Sequence, residues 1–125
     1  MEQVNIMKDF KKLNVWGKAH KLTLAIYQHS KNFPQEELYC LTSQLRRAAA
    51  SVPANIAEGC GRDSDAELAR FLTIAMGSAS EVEYHLLLAS NLGFIKKPDY
   101  QKLDIDIIEI KRMLTTFIKK LKADC

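Results

Sequence analysis

The sequence predicts an all-α fold, an antiparallel up-down-up-down four-helix bundle with a kinked second helix. It forms a single domain over residues 1–125, with residues 1–12 as an N-terminal tail. Three observations predict it. Apolar residues recur at alternating steps of four and three in four separate segments, the spacing that lays one stripe along an α-helix. Helix breakers are scarce, with three Pro and five Gly in 125 residues. The segments are joined by short connections, which place sequential helices side by side and antiparallel.

The first helix is predicted over residues 15–30. Val15, Ala19, Leu22, Ile26 and then Phe33 form its stripe, with Trp16, Thr23 and Tyr27 alongside. Asn14 is the expected N-cap, and Phe33-Pro34 ends the helix because a residue before proline avoids helical angles. The second helix spans 37–58, with Leu41, Leu45, Ala48, Val52 and Asn55/Ile56 inward. Pro53 lies inside it, where a missing N–H and a crowded carbonyl at Ala49 predict a kink. The small residues Ala48-Ala49-Ala50-Ser51 let a neighbouring helix approach, and Gly59 and Gly61 are expected to end the helix.

The third helix opens on Ser64-Asp65-Ala66-Glu67, a capping box. Leu68, Leu72, Ala75, Ala79, Val82, Leu86 and Ala89 follow in strict 4-3 order as a bundle seam, and Gly93 closes it. At 1.5 Å per residue this helix is about 40 Å long. The fourth spans 98–122, with Pro98 in its first turn and Leu103, Ile107, Ile110, Leu114, Phe117 and Leu121 inward. Its early aspartates and late lysines complement the helix dipole. Helices 1 and 4 are expected to be neighbours.

Composition narrows the function classes. Hydrophobic residues make up 47% and charged residues 26%, which is globular and too apolar for disorder. No run of about 18 apolar residues offers a membrane span, and residues 1–10 lack the apolar core of a secretion signal. The expected location is cytoplasmic. Cys40, Cys60 and Cys125 are far apart, without C-x-x-C, so they are expected to be thiols, with Cys125 exposed.

The net charge of +3 is unevenly spread. Residues 1–31 hold six Lys against two acids, and residues 94–125 hold eight Lys/Arg against five acids. The middle, 32–93, holds four Arg against eight acids. A basic surplus on helices 1 and 4 permits nucleic-acid contact and is equally the mark of a solvated face. Lys18, Lys21, Lys111, Arg112 and Lys119 are the candidate phosphate contacts there. Arg46 and Arg47 form a second set that suits either phosphate or the carboxylates of Glu58, Glu81 and Glu83.

Helix 3 carries a second stripe of Phe71, Ile74, Leu88 and Leu92, with Ser78, Glu81 and His85 spaced along it. Helix 1 adds Trp16 and Tyr27 outside its main stripe. Either the core is wide or these residues form a subunit interface, since large apolar patches seldom stay exposed. The expected interface comprises Trp16, Tyr27, Phe71, Ile74, Ser78, Glu81 and His85. No nucleophile lies near a base in a recognisable pattern, and the two-fold Glu-x-x-His set of a di-iron bundle is missing. Glu81 and His85 stand one turn apart without further ligands. Gly59-Cys60-Gly61-Arg62 lacks the Lys-Ser/Thr of a phosphate loop. No catalytic residue, metal or cofactor is assigned.

The segment Pro34-Gln35-Glu36-Glu37-Leu38-Tyr39, then Leu41-Thr42-Ser43-Gln44-Leu45-Arg46-Arg47-Ala48-Ala49 and Ser51-Val52-Pro53-Ala54-Asn55-Ile56-Ala57-Glu58-Gly59, resembles the 23S rRNA intervening-sequence family of four-helix-bundle proteins. Phe71-Leu72, Ile74-Ala75, Gly77-Ser78, Glu81 and Leu92-Gly93-Phe94-Ile95 fit the same pattern, as do Leu13, Val15-Trp16 and Ala19. One departure is Cys40, where the family usually has Gly after Tyr. The resemblance implies a homopentameric ring without enzymatic activity. It is also similar to the accessory variability determinant proteins of diversity-generating retroelements, which associate with a reverse transcriptase and nucleic acid. The expectation is a non-enzymatic ring-forming homo-oligomer that binds RNA or DNA through phosphate contacts. The alternative is an oligomeric protein-interaction scaffold, for example an accessory subunit of a polymerase or reverse transcriptase.

Overall fold

A computed structural model describes residues 9–123. Most of the expected tail and Cys125 lie outside the described residues. Four helices form a bundle around one core: α1 (Asn14–Ser30), α2 (Ser43–Cys60), α3 (Asp65–Asn91) and α4 (Lys97–Ala123). Each packs against its chain neighbour, and α1 also packs against α4. Cross-helix pairs run in opposite order along neighbouring helices. His29 meets Asp99 at 4.0 Å while Lys18 meets Glu109 at 3.5 Å. Ser51 meets Ser78 at 2.9 Å, while Gly59 lies against Leu68 and Phe71. No helix among the described residues is long and apolar enough to cross a membrane.

The 4-3 stripes are the core. All seven seam residues of α3, from Leu68 to Ala89, are buried, as are Val15, Ala19, Leu22, Ile26 and Phe33. The stripe expected of the second helix is buried at Leu41, in the turn before α2, and at Leu45, Ala48, Val52 and Ile56 within it, and that of α4 at Leu103, Ile107, Ile110, Leu114 and Leu121. Phe117, at the same register, is only half-buried.

Helix ends differ from expectation where local geometry outweighs residue preference. Asn14 is the first helical residue and not the N-cap; Leu13 holds that position and offers no capping side chain. A 3-10 turn over Phe10–Lys12, capped by Asp9, feeds directly into the helix and displaces the start by one residue. The second helix begins at Ser43 and not at 37. Gln35–Glu37 is a 3-10 turn and Leu38–Thr42 a π-type turn, broken at Cys40 with φ −119° and ψ −106°. The Glu37 carboxylate accepts the Leu41 N–H there at 3.3 Å. Ser64 caps α3 by accepting the Glu67 N–H at 3.1 Å. The Glu67 carboxylate turns to Arg70 at 3.1 Å, so only half of the capping box forms. At the other end Gly93, with φ +81°, makes a Schellman turn. Phe94 N–H reaches the Ala89 carbonyl at 2.9 Å and Gly93 N–H the Ser90 carbonyl at 3.0 Å.

Gly59 lies within α2 and does not cap it. A Cβ there would come within 2.9 Å of Leu68 Cδ1 and Phe71 Cβ, so glycine lets the end of α2 press against the start of α3. Gly61 holds the cap position.

Pro53 is buried inside α2, which continues unbroken from Ser43 to Cys60. Proline donates no N–H to the Ala49 carbonyl, four residues back. That carbonyl is supplied from α1: the Thr23 hydroxyl lies 3.0 Å from it and 2.8 Å from the Ala19 carbonyl of its own helix. One hydroxyl proton serves two acceptors, and both residues are buried.

At the α3–α4 junction Lys111 Nζ donates to Glu83 Oε1 at 2.8 Å. Asp104 lies nearby, its carboxyl held above the usual range by burial and then by the Glu83 charge. Burial, with the same two acids, also pushes the Tyr100 phenol up.

Two predictions follow from these contacts. Thr23→Val costs about 1–3 kcal/mol by leaving the Ala49 carbonyl buried without a donor. In a Pro53→Ala background the restored N–H takes over and the cost shrinks; urea unfolding of the double-mutant cycle measures it. Equal cost in both backgrounds would mean that Thr23 acts through packing alone. A raised carboxyl pKa means that Asp104 costs the fold stability progressively as pH rises from its unfolded to its folded value, and the full cost persists above it. Asp104→Asn therefore raises the melting temperature at neutral pH. The gain disappears below about pH 4, where the native carboxyl is protonated in both folded and unfolded chains.

Candidate nucleic-acid and subunit interfaces

The candidate residues divide between two faces. On the α1–α4 face, Lys18 and Lys21 project from α1 one turn below Leu22 and Ala25, and they border a cleft of about 290 Å³ together with Lys102, Asp106 and Glu109. Two of its three lysines are already paired, Lys18 with Glu109 at 3.5 Å and Lys102 with Asp106 by a short ion pair of 2.6 Å. Lys21 is exposed and has no ion pair among the described residues. Further along α4, Arg112 and Lys119 are two turns apart, exposed, and equally without a carboxylate partner among the described residues.

Lys111 does not belong to this face. Its bond to Glu83 holds it on the α3 side of α4, where its charge is already matched. The 4-3 pattern alone placed it one residue from Arg112 without showing that adjacent helical positions diverge by about 100°.

Arg46 turns toward α1 and away from the three glutamates. Its Nε donates to Ser30 Oγ at 2.8 Å, its Nη2 to the Tyr27 carbonyl at 3.4 Å, and its guanidinium stacks on the Tyr27 ring at 4.9 Å. Neither Arg46 nor Arg47 pairs with a carboxylate within the described residues; Glu58 pairs with Arg62 at 2.8 Å. Arg47 is exposed.

The second stripe of α3 is only partly open. Phe71 is buried, with Arg62 and Arg70 over its ring at 4.7 and 4.6 Å. His85 is buried too: neither ring nitrogen has a hydrogen-bond partner, and Glu81 Oε2 is 3.7 Å away. Those two side chains are enclosed by their own chain. Ile74, Glu81 and Leu92 are exposed, and Ser78 is half-buried against Ser51. Asn55 Nδ2 completes that contact by donating to Ser51 Oγ at 2.9 Å and to the Ser51 carbonyl at 2.8 Å. On α1, Trp16 is half-covered by Phe10 at 5.0 Å and stacked on His20 at 4.9 Å, while Tyr27 remains 42% exposed beneath Arg46. Among the described residues no three His, Cys, Asp or Glu gather as metal ligands.

Some surface features were missed by periodicity. Tyr39 is 88% exposed beside the Cys40 break, and Tyr84 is 57% exposed on α3. Met113, Thr116 and Lys120 line a hollow with Arg112 and Phe117. The i, i+4, i+8 row Arg112–Thr116–Lys120 was the available signal for that hollow.

Comparison with known proteins places the chain among similar molecules. The profile of the 23S rRNA-intervening sequence protein family matches residues 11–116. A similar solved structure is that of a protein of unknown function from the S23 ribosomal protein family of Bacteroides thetaiotaomicron VPI-5482. It shares 29% identity, covers 84% of this chain and 98% of its own, and superposes with a TM-score of 0.76. No curated protein matches the sequence significantly.

Proposed function

Because the chain belongs to the 23S rRNA-intervening sequence protein family, we propose that it is a non-enzymatic homo-oligomer, a pentameric ring, that binds RNA or DNA through its α1–α4 face. The observation that carries the nucleic-acid reading is the set Lys21, Arg112 and Lys119, exposed cations that no carboxylate of the described residues neutralises. Such charges remain available to phosphate, whereas Lys18, Lys102 and Lys111 first have to leave their own acids. Repetition of the face around a ring adds weak contacts by avidity.

Support for assembly comes from α3. Gly77 lies in mid-helix with nothing within 4 Å of an added Cβ. A helical glycine with free space costs roughly 0.5–1 kcal/mol relative to alanine, a cost that close approach by another subunit explains. Ile74, one turn before it, is 41% exposed. The scaffold reading, an accessory subunit docked on a polymerase or reverse transcriptase, shares this assembly and dispenses with the phosphate contacts.

Light scattering is expected to give about five times the 14.2 kDa chain mass. Gly77→Ala is expected to lower that mass while raising the helix content of any released monomer. Replacing Lys21, Arg112 and Lys119 together by Glu is expected to abolish the mobility shift of structured RNA at ~50 mM salt, with the oligomer retained. Wild-type protein that shifts neither RNA nor duplex DNA under those conditions rejects the nucleic-acid reading in favour of the scaffold. A monomer mass at micromolar concentration rejects both.

A further inference from the structure

An open groove of about 580 Å³ lies where the start of α1 meets the last turns of α4. Its floor is apolar, formed by Leu13, Val15, Met113 and Phe117, and its rim carries Arg112 and Lys120. Nucleic acid has no need of such a floor. Phosphate contact requires cations on an accessible surface, whereas Met113 and Phe117 are half-buried side chains, one turn apart, facing a hollow.

Three positive features surround that floor. Arg112 and Lys120 are exposed, two turns apart on one row of α4, and neither has an ion pair among the described residues. The third is the start of α1. Its N-cap residue, Leu13, supplies no side-chain acceptor, and Asn14 and Val15 of its first turn line the groove edge, where the positive end of the helix dipole lies. The lysine-lined cleft at Lys18 and Lys21 continues the same α1–α4 crevice one turn further on.

We propose that this groove is a docking site for a short acidic amphipathic helix of a partner protein. Its apolar side chains at i, i+3/i+4 and i+7 would rest on Met113 and Phe117, and its carboxylates would meet Arg112, Lys120 and the α1 N-terminus. The geometry is that of a helix laid in a groove between two helices. From Arg112 to Lys120 the rim runs about 12 Å, two helical turns, which matches two or three anchors. Charge complementarity selects the partner: the flank must be acidic, because a basic one would face Arg112 and Lys120, neither of which has an ion pair among the described residues. The inference is independent of the nucleic-acid reading, although the two share Arg112.

The test uses the full chain and a fluorescein-labelled helical peptide of about 16 residues, with leucines at i, i+4 and i+7 and glutamates on the flanks. Two control peptides replace the glutamates by lysine or the leucines by serine. Fluorescence polarisation is expected to rise saturably with the acidic peptide and to stay at least tenfold weaker with either control. Thr116→Glu places a negative charge on the exposed rim without touching the core, and it is expected to weaken acidic-peptide binding at least tenfold. Met113→Ser is expected to do the same through the floor and to leave the RNA mobility shift unchanged. No saturable binding up to ~100 μM peptide, equal binding of the lysine control, or unchanged affinity in Thr116→Glu would each overturn the proposal. So would a loss of oligomer mass in Thr116→Glu without peptide, since the groove would then be covered by a second copy of the chain.

Discussion

Much of this bundle depends on one carbonyl. Proline at position 53 sits in a buried helix, and the oxygen of Ala49 has to find a donor outside α2. Water cannot supply one in a closed core, and an unpaired buried carbonyl costs as much as several good packing contacts. The Thr23 hydroxyl meets it at 3.0 Å. A hydrogen bond has a narrow range of distance and direction, whereas apolar contacts tolerate sliding. Thr23 therefore adds a directional constraint on the height and rotation of α1 against α2 to the burial of its apolar stripe. That rotation determines where the rest of α1 points. It turns Val15, Ala19, Leu22 and Ile26 inward and sends Lys18 and Lys21 toward α4.

The α2–α3 contact follows a different rule, closeness. Gly59 admits Leu68 and Phe71 to within van der Waals limits, and Ser51 meets Ser78 without an intervening side chain. On the α1–α4 side the Lys18–Glu109 ion pair joins the helices across the rim, and clefts open between them. The bundle is tight on one side and grooved on the other. Half-buried apolar groups and cations without an ion pair among the described residues coexist on the grooved side.

The stripes of all four helices were legible in the sequence because burial on a helix is a matter of angle, and angle follows from spacing. What spacing does not carry is depth. Phe71 and His85 lie on the angle expected of an outer stripe, yet neighbouring arginines and the chain itself enclose them. Side-chain direction was equally hidden: the sequence offered three glutamates to Arg46, and its guanidinium goes instead to Ser30 and Tyr27 on the preceding helix. The late start of α2 had a visible cue at Cys40, where the resembling family uses glycine, but the 3-10 and π-type turns before Ser43 leave no periodic trace. The groove at Met113 and Phe117 was the least legible feature. It exists only because two distant segments, the first turn of α1 and the last turns of α4, fail to close over one another.

The hydroxyl pair between Ser51 and Ser78, with Asn55 beside it, bears on how the chain avoids wrong answers while folding. Seams built on a seven-residue repeat are close to degenerate: sliding α3 by one heptad against α2 would still set Ala, Leu and Val against one another. Compact states that differ by such slips are the natural traps of a repetitive helical sequence. A polar cluster at a single level breaks the degeneracy. In the native register the Ser78 hydroxyl meets Ser51, which Asn55 also holds from within α2; a one-heptad slip of α3 breaks the Ser51–Ser78 contact and sets Phe71 or His85 at that level. The penalty falls on the competing states and leaves the native one untouched, so the cluster widens the energy gap without adding much to native stability. A few small polar side chains in mid-bundle thereby give a near-periodic chain one address for each helix.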